Sequence, residues 1–303
     1  MIYTVTFNPS LDYYVNVNNI KIGIVNRANG ERFAVGGKGL NVSLALKELG
    51  RDSLALGFVA GFTGKYISEK ATELGLNYEF IEVAGQSRIN AKIRGGSETD
   101  INGSGAEIYQ KDVDALVKRL NELLKKSDWL IVSGSVPPTL DYMTYANVLD
   151  KLKSIDGVNV VVDAYEKLLT ETLKYKPFLI KPNIYEMCEI FGLKTVPDVE
   201  GIFACARQLQ QMGARNVIVS MGSLGAAMVT ETQQSMYVRA ARGHIVNSVG
   251  AGDSLIAGFI HEYLNTGNYF SALNYGAAAG SACAFTKNLA TKEQIEHVER
   301  LML

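Results

Sequence analysis

Cysteine is scarce in this chain. Cys188, Cys205 and Cys283 stand far apart and are odd in number, which excludes a disulfide framework. Their neighbours are apolar or helix-forming, so all three read as reduced packing residues. Histidine is equally sparse: His244, His261 and His297 are scattered, and Asn265 stands where a zinc-protease helix beginning at His261-Glu262 needs its second histidine. Neither sign of charge predominates. Thirty basic residues face 31 acidic ones with no long run of either, so the electrostatic footprint of a binder of nucleic acid or of an anionic membrane is missing. No apolar run approaches the roughly 20 residues that span a bilayer. The most apolar late stretch, residues 277–285, is short and rich in small side chains, as a packed helix is. There is no linker rich in Pro, Gly or Ser, no internal repeat and no low-complexity tract. The opening Ile2-Tyr3-Thr4-Val5-Thr6-Phe7 alternates like a strand and has neither a basic region nor a cleavage site. A signal peptide is therefore not expected, and a cytoplasmic location is.

What remains is ordinary globular material. The 303 residues are 47% hydrophobic and 20% charged, enough for one α/β core of normal size. Short apolar runs at 54–60, 129–133, 158–163, 178–181 and 216–220 read as strands. Between them lie patterns with a period near 3.6, such as Val42, Ala45, Leu46, Leu49 and Val113, Leu116, Val117, Leu120, Leu124. That alternation predicts βαβ units: a doubly wound, mostly parallel sheet flanked by helices. Residues 13–35 and 78–104 break the alternation with strand-like text and few helix signals. They are expected to form a small β-sheet lid over one end of a single domain spanning 1–303.

Two glycine-rich segments carry the chemistry. Asn247-Ser248-Val249-Gly250-Ala251-Gly252-Asp253-Ser254 runs into a helical pattern. Glycines at Gly250 and Gly252 allow a tight turn and leave amides uncovered, and a helix N-terminus is an anion site suited to phosphate. An acidic residue there is also a common helix cap, so the segment alone leaves both readings open. Val35-Gly36-Gly37-Lys38-Gly39-Leu40-Asn41-Val42 also precedes a helix, and Asn41 brings a donor and acceptors for a hydroxylated ligand. Neither segment is a Walker loop, because Gly37-Lys38 and Gly64-Lys65 lack the following Ser or Thr, and neither fits the dinucleotide-binding pattern.

Taken together, these segments resemble the two signature regions of the ribokinase-like carbohydrate kinases, the family that includes the minor phosphofructokinases. The resemblance extends to Asn8-Pro9-Ser10-Leu11-Asp12, Ser133-Gly134-Ser135-Val136-Pro137-Pro138, Lys181-Pro182-Asn183-Ile184-Tyr185-Glu186 and Ser220-Met221-Gly222-Ser223-Leu224-Gly225. It implies a ribokinase-like fold and ATP-dependent phosphoryl transfer to a sugar. Asp253 would be the base, and the Gly250, Ala251, Gly252 and Asp253 amides would stabilise the transferring group. Asn183 and Glu186 would hold Mg²⁺ through water. Lys181, Asn183, Ser220, Gly222, Gly225 and Gly252 would meet ATP, and Asp12, Gly37 and Asn41 the sugar.

The text around Ser87-Arg88-Ile89-Asn90-Ala91-Lys92 is similar to the branch that phosphorylates sugar phosphates. A substrate already carrying phosphate calls for fixed cations, and Arg88, Arg27 and Lys38 are the candidates. The opening segment and residues 57–64 look most like 1-phosphofructokinases, which implies fructose 1-phosphate. Tagatose 6-phosphate and fructose 6-phosphate are the alternatives. Two departures from the branch, Ala60 and Ser104, fall outside the proposed chemistry. A non-catalytic sugar-phosphate or nucleotide sensor on this fold would be expected to lack the base, and a nicotinamide enzyme to carry a glycine fingerprint after an early strand. The family also implies a homodimer joined through lid strands, whose edges would otherwise stay open.

Overall fold

The computed structural model describes residues 1–152 and 157–302. Thirteen strands among these residues form two sheets. In chain order they are β1 (Ile2–Thr6), β2 (Ser10–Asn16), β3 (Gly30–Gly36), β4 (Ser53–Val59), β5 (Asn77–Glu82), β6 (Arg88–Gly95) and β7 (Ser97–Asn102). They continue with β8 (Trp129–Ser133), β9 (Asn159–Asp163), β10 (Leu179–Ile180), β11 (Asn216–Ser220), β12 (Ala226–Val229) and β13 (Ser235–Val238). The helices are α1 (Lys38–Glu48), α2 (Gly61–Glu73), α3 (Gln110–Leu123), α4 (Thr144–Leu152) and α5 (Glu166–Thr170). After them come α6 (Ile184–Phe191), α7 (Val199–Gln211), α8 (Ala251–Thr266), α9 (Tyr269–Ala284) and α10 (Lys292–Met302).

The large sheet has the order β13-β12-β11-β10-β9-β8-β1-β4-β5. It is parallel from β5 to β11, and β12 and β13 complete it as an antiparallel edge. Its central strands are apolar on both faces because helices cover both, as a parallel sheet requires. Tyr3, Val5, Leu130, Val132, Val162, Val217 and Val219 face α3, α4, α6 and α7 in one core. The alternate residues Ile2, Trp129, Ile131, Val161 and Ile218 face α1, α8 and α9 in another. Helix α10 closes over α9 through Ile295 and Val298. All three cysteines are free and buried, as their surroundings predict.

The lid is a separate sheet of order β3-β2-β6-β7. One correction to the sequence reading concerns β5. Its strand-like text at 78–83 falls in the segment 78–104 expected to form the lid, yet it pairs in parallel with β4 at the edge of the large sheet. Its short alternating pattern suits an edge strand of either sheet, and only the pairing partner, which periodicity does not encode, decides between them. The lid proper is amphipathic. Ser10, Asp12, Asn90 and Lys92 are buried on one face, while Phe33, Ile89 and Ile101 are exposed on the other.

Candidate active site

Strand β11 and the parallel strands beside it end at the lid-side rim of the large sheet, and the glycine-rich segments meet there. Gly250 adopts a left-handed φ of 84° immediately before α8, a conformation that a side chain would strain. The turn places Asp253 in the first turn of α8, fully buried, and the amide of Ala251 closes back on the Ser248 carbonyl at 3.3 Å. Among the described residues the amides of Gly252 and Asp253 have no backbone acceptor, so two donors stay available at the positive end of a 16-residue helix. Asn41, one turn into α1, donates its Nδ2 to Asp253 Oδ2 at 2.8 Å. Burial, reinforced by the nearby Asp163 carboxylate, pushes the Asp253 pKa up to about 6, against the pull of Lys38, Asn41 and Lys181. A carboxylate tuned toward neutrality is what a general base near physiological pH requires.

Asp163, at the carboxyl end of β9, is the residue that organises the charges. Lys38 donates to its Oδ1 at 2.9 Å, and the Lys181 ammonium stands 3.4 Å from the same oxygen. Burial works to raise the Asp163 pKa, but the two ammoniums prevail and hold it below the ordinary carboxylate range. Burial likewise opposes the charge on Lys38, and the carboxylates of Asp163, Asp253 and Glu186 outweigh it and keep the ammonium protonated. Lys181 also lies against the start of α8. A Cβ added to Gly252 would fall 3.1 Å from its Nζ, so the absence of a side chain there lets the cation approach the helix. An ammonium beside a helix N-terminus is unfavourable unless an anion lies between them. The arrangement therefore suits a bound phosphoryl group.

A cavity of about 610 Å³ opens from this point, within the size range of small-molecule and cofactor sites. Ser220, Gly222, Gly225, Gly252, Arg239 and Phe285 are among its lining residues. Gly225 has φ 106°, and a Cβ there would lie 2.0 Å from the Val238 carbonyl oxygen, so only glycine lets the β11–β12 connection pack against β13. Asn183 caps α6: its side-chain oxygen accepts from the amides of Tyr185 and Glu186 at 2.9 Å. Glu186 returns the contact, accepting from the Asn183 amide at 2.7 Å. The pair is thus a capping box. Its second Glu186 oxygen makes no hydrogen bond among the described residues, and its charge is felt at Lys38. A spare carboxylate oxygen of this kind suits a hydrated Mg²⁺.

The residues expected on the sugar side lie on the lid and its junction. Asp12 accepts from Ser10 at 2.7 Å and from Asn90 at 2.8 Å, so its carboxylate is fixed. A Cβ on Gly36 would come within 2.6 Å of Asp12 Oδ2, and one on Gly37 within 2.9 Å of Thr6. Arg88 donates its Nε to the Asn8 carbonyl at 3.0 Å, and its terminal nitrogens make no hydrogen bond among the described residues. Burial pulls its pKa down against the attraction of Asp12. A mostly buried guanidinium without an ion pair is a receptive site for an anion. Arg27 differs: it is exposed on the β2–β3 connection and makes no hydrogen bond or ion pair among the described residues. The contacts unite Asp253, Asn41, Lys38 and Lys181, and they leave Arg27 outside that network.

Asp163 escaped the sequence reading. It is the last residue of the apolar run 158–163, and a charged residue ending a buried strand at the ligand-binding rim was the available signal.

Comparison with known proteins agrees with this geometry. Residues 7–295 match the pfkB family carbohydrate kinase description. A 1-phosphofructokinase of Bacillus subtilis is 39% identical over 98% of this chain and 97% of its own. A D-tagatose-1-phosphate kinase of Bacillus licheniformis is 33% identical over 98% and 96%. The crystal structure of phosphofructokinase-2 from Escherichia coli in complex with substrates and products has a TM-score of 0.91 at 23% identity, covering 99% of each chain. The fold is ribokinase-like, as expected. With its family match over nearly the whole length and a buried acid at the glycine-rich helix start, the chain belongs to the pfkB family of carbohydrate kinases.

Proposed function

We propose that this kinase transfers the γ-phosphoryl group of ATP to fructose 1-phosphate, giving fructose 1,6-bisphosphate and ADP. The observation that carries the reading is Asp253: a buried carboxylate with its pKa near 6, held by Asn41 at the free-amide end of α8. The sugar 6-hydroxyl loses its proton to Asp253 as its oxygen bonds to the γ-phosphorus and the bond to the ADP oxygen breaks. The Gly252 and Asp253 amides and the Lys38 and Lys181 ammoniums surround the position where charge shifts, which is the main catalytic contribution in phosphoryl transfer. The cavity between Ser220 and Phe285 takes the nucleotide, Asp12 and Asn41 orient the sugar, and Arg88 holds the phosphate it already carries. Glu186 and Asn183 would hold Mg²⁺ through water, and the ion would neutralise charge on the nucleotide phosphates.

The apolar outer face of the lid, with Phe33, Ile89 and Ile101 exposed, supports a homodimer joined lid to lid. For the sugar, the 39% identity to a 1-phosphofructokinase favours fructose 1-phosphate, and the 33% identity to a D-tagatose-1-phosphate kinase makes tagatose 1-phosphate its competitor. A coupled assay of ADP release with ATP and Mg²⁺ compares fructose 1-phosphate, tagatose 1-phosphate, fructose 6-phosphate, tagatose 6-phosphate and fructose. Highest kcat/KM on fructose 1-phosphate is the expected result. Preference for a 6-phosphate would overturn the placement of the anchoring phosphate while leaving the kinase chemistry in place.

A further inference from the structure

The carboxyl ends of β1, β8 and β9 carry a row of polar side chains. Thr6 is in register with Ser133, and Ser133 with Asp163. In-register residues of parallel strands point to the same face, here the face that packs on α1 and α8. The three residues are 2%, 0% and 0% exposed. Thr6 Oγ1, Ser133 Oγ and Asp163 Oδ2 have no hydrogen-bond partner, and they are three of the four such buried side-chain atoms among the described residues. Helix α1 shuts the row in from above, since a Cβ on Gly39 would meet Thr6 Oγ1 at 2.4 Å.

Leaving three neighbouring buried oxygens unpaired is costly, and one shared partner removes the cost. A cation is disfavoured there, because Thr6 and Ser133 offer only neutral hydroxyls and the Asp163 carboxylate is already shared by the ammoniums of Lys38 and Lys181. An anion would meet the carboxylate oxygen itself. Sugar and nucleotide atoms are excluded, because these oxygens are sealed from solvent. A water molecule suits the site: it donates to Asp163 Oδ2 and to one hydroxyl and accepts from the other.

We infer that one enclosed water bridges Thr6, Ser133 and Asp163, and that Thr6 and Ser133 are positioning residues acting through it. The two oxygens of Asp163 then have separate tasks. Oδ1 holds the ammoniums of Lys38 and Lys181, and Oδ2 is held by the water so that the carboxylate does not rotate. Carboxylate rotation is otherwise soft, because the terminal torsion of Asp is broad. The kinetic consequence rests on the proposed role of the two lysines in phosphoryl transfer, whereas the water itself does not.

A crystal structure of the full chain at a resolution that shows ordered solvent tests the water directly. A solvent peak within hydrogen-bond distance of all three oxygens is the expected result. Hydroxyls bonded to one another or to Lys38, with no peak between them, would overturn the proposal, and this result is independent of any turnover. Kinetics test the positioning role. Thr6→Val and Ser133→Ala should each lower kcat about tenfold, roughly the effect of one lost hydrogen bond, with KM for the sugar phosphate held within about twofold. Thr6→Ser, which keeps the hydroxyl, should restore most of the rate. Full kcat in folded Thr6→Val and Ser133→Ala, or no recovery in Thr6→Ser, would remove the positioning role.

Discussion

Lys38 reaches Asp163 across 125 positions of chain, and the 2.9 Å contact joins the first turn of α1 to the end of β9. Because Lys181 approaches the same carboxylate oxygen, a single buried anion orders two cations. Asp163→Ala leaves both ammoniums without their counterion. Breaking a buried pair from one side costs about 3–5 kcal/mol, so denaturant unfolding should show a loss of that order. The rate should fall on the order of 100-fold or more, the scale of removing one preorganised electrostatic group.

As the proposed base, Asp253 should set the acid limb of activity. The base acts when deprotonated, so kcat/KM should climb with pH through about 6 and level off above it. A limb near pH 4 would mean that burial does not govern the group. Asp253→Ala should keep nucleotide binding, measured by calorimetry, and lose roughly 100- to 10,000-fold in kcat.

The same shift has a sign in stability. A carboxyl whose native pKa is raised from 3.8 to about 6 binds its proton more tightly when folded. Its favourable contribution is complete below pH about 4 and is lost as pH rises through about 6. Asp253→Asn is uncharged throughout, so it should be more stable than the parent at pH 8 by on the order of 3 kcal/mol and about equal to it at pH 4. Thermal melts at the two values make the comparison.

Arg88 should act on the sugar phosphate alone. Arg88→Ala removes charged hydrogen bonds to that group, so its KM should rise by about 10- to 100-fold while that of ATP changes little. Equal changes in both constants would place Arg88 outside the phosphate site.

The outer lid face predicts assembly. Sedimentation at micromolar concentration should give a dimer, and Phe33→Glu or Ile101→Glu should convert it to monomer by placing charge on an apolar contact. A parent chain that sediments as a monomer would refute this.

The parallel sheet was legible because its strands are buried on both faces and so read as unbroken apolar runs; 129–133 and 216–220 coincide with β8 and β11 residue for residue. The turn that leads into α8 was legible too, since Gly250 takes a left-handed φ there. Less legible was anything decided by pairing across the chain. The β5 strand has the same local text whether it joins the lid or the large sheet, and its partner β4 alone settles the matter. Asp163 was hidden for a related reason. Nothing in residues 158–163 announces two lysines arriving from positions 38 and 181. Asn183 and Glu186 show the reverse: their spacing is legible, and it also serves a helix cap.

Between lid strand β3 and helix α1 lies one residue, Gly37. At the neighbouring crossing, Asn8 donates to the Ser104 carbonyl at 3.0 Å and receives Arg88 at 3.0 Å, so the entering and leaving strands of the lid are tied at one point. The lid has little slack with which to swing on its own. Any displacement of β3 would pass through the single residue Gly37 to Lys38, and a shift of β6 would pull Arg88 against the same anchor. Under the proposed function, sugar capture and the arrangement of positive charge would therefore be mechanically coupled: a substrate drawing on the lid would also shift the Lys38 ammonium.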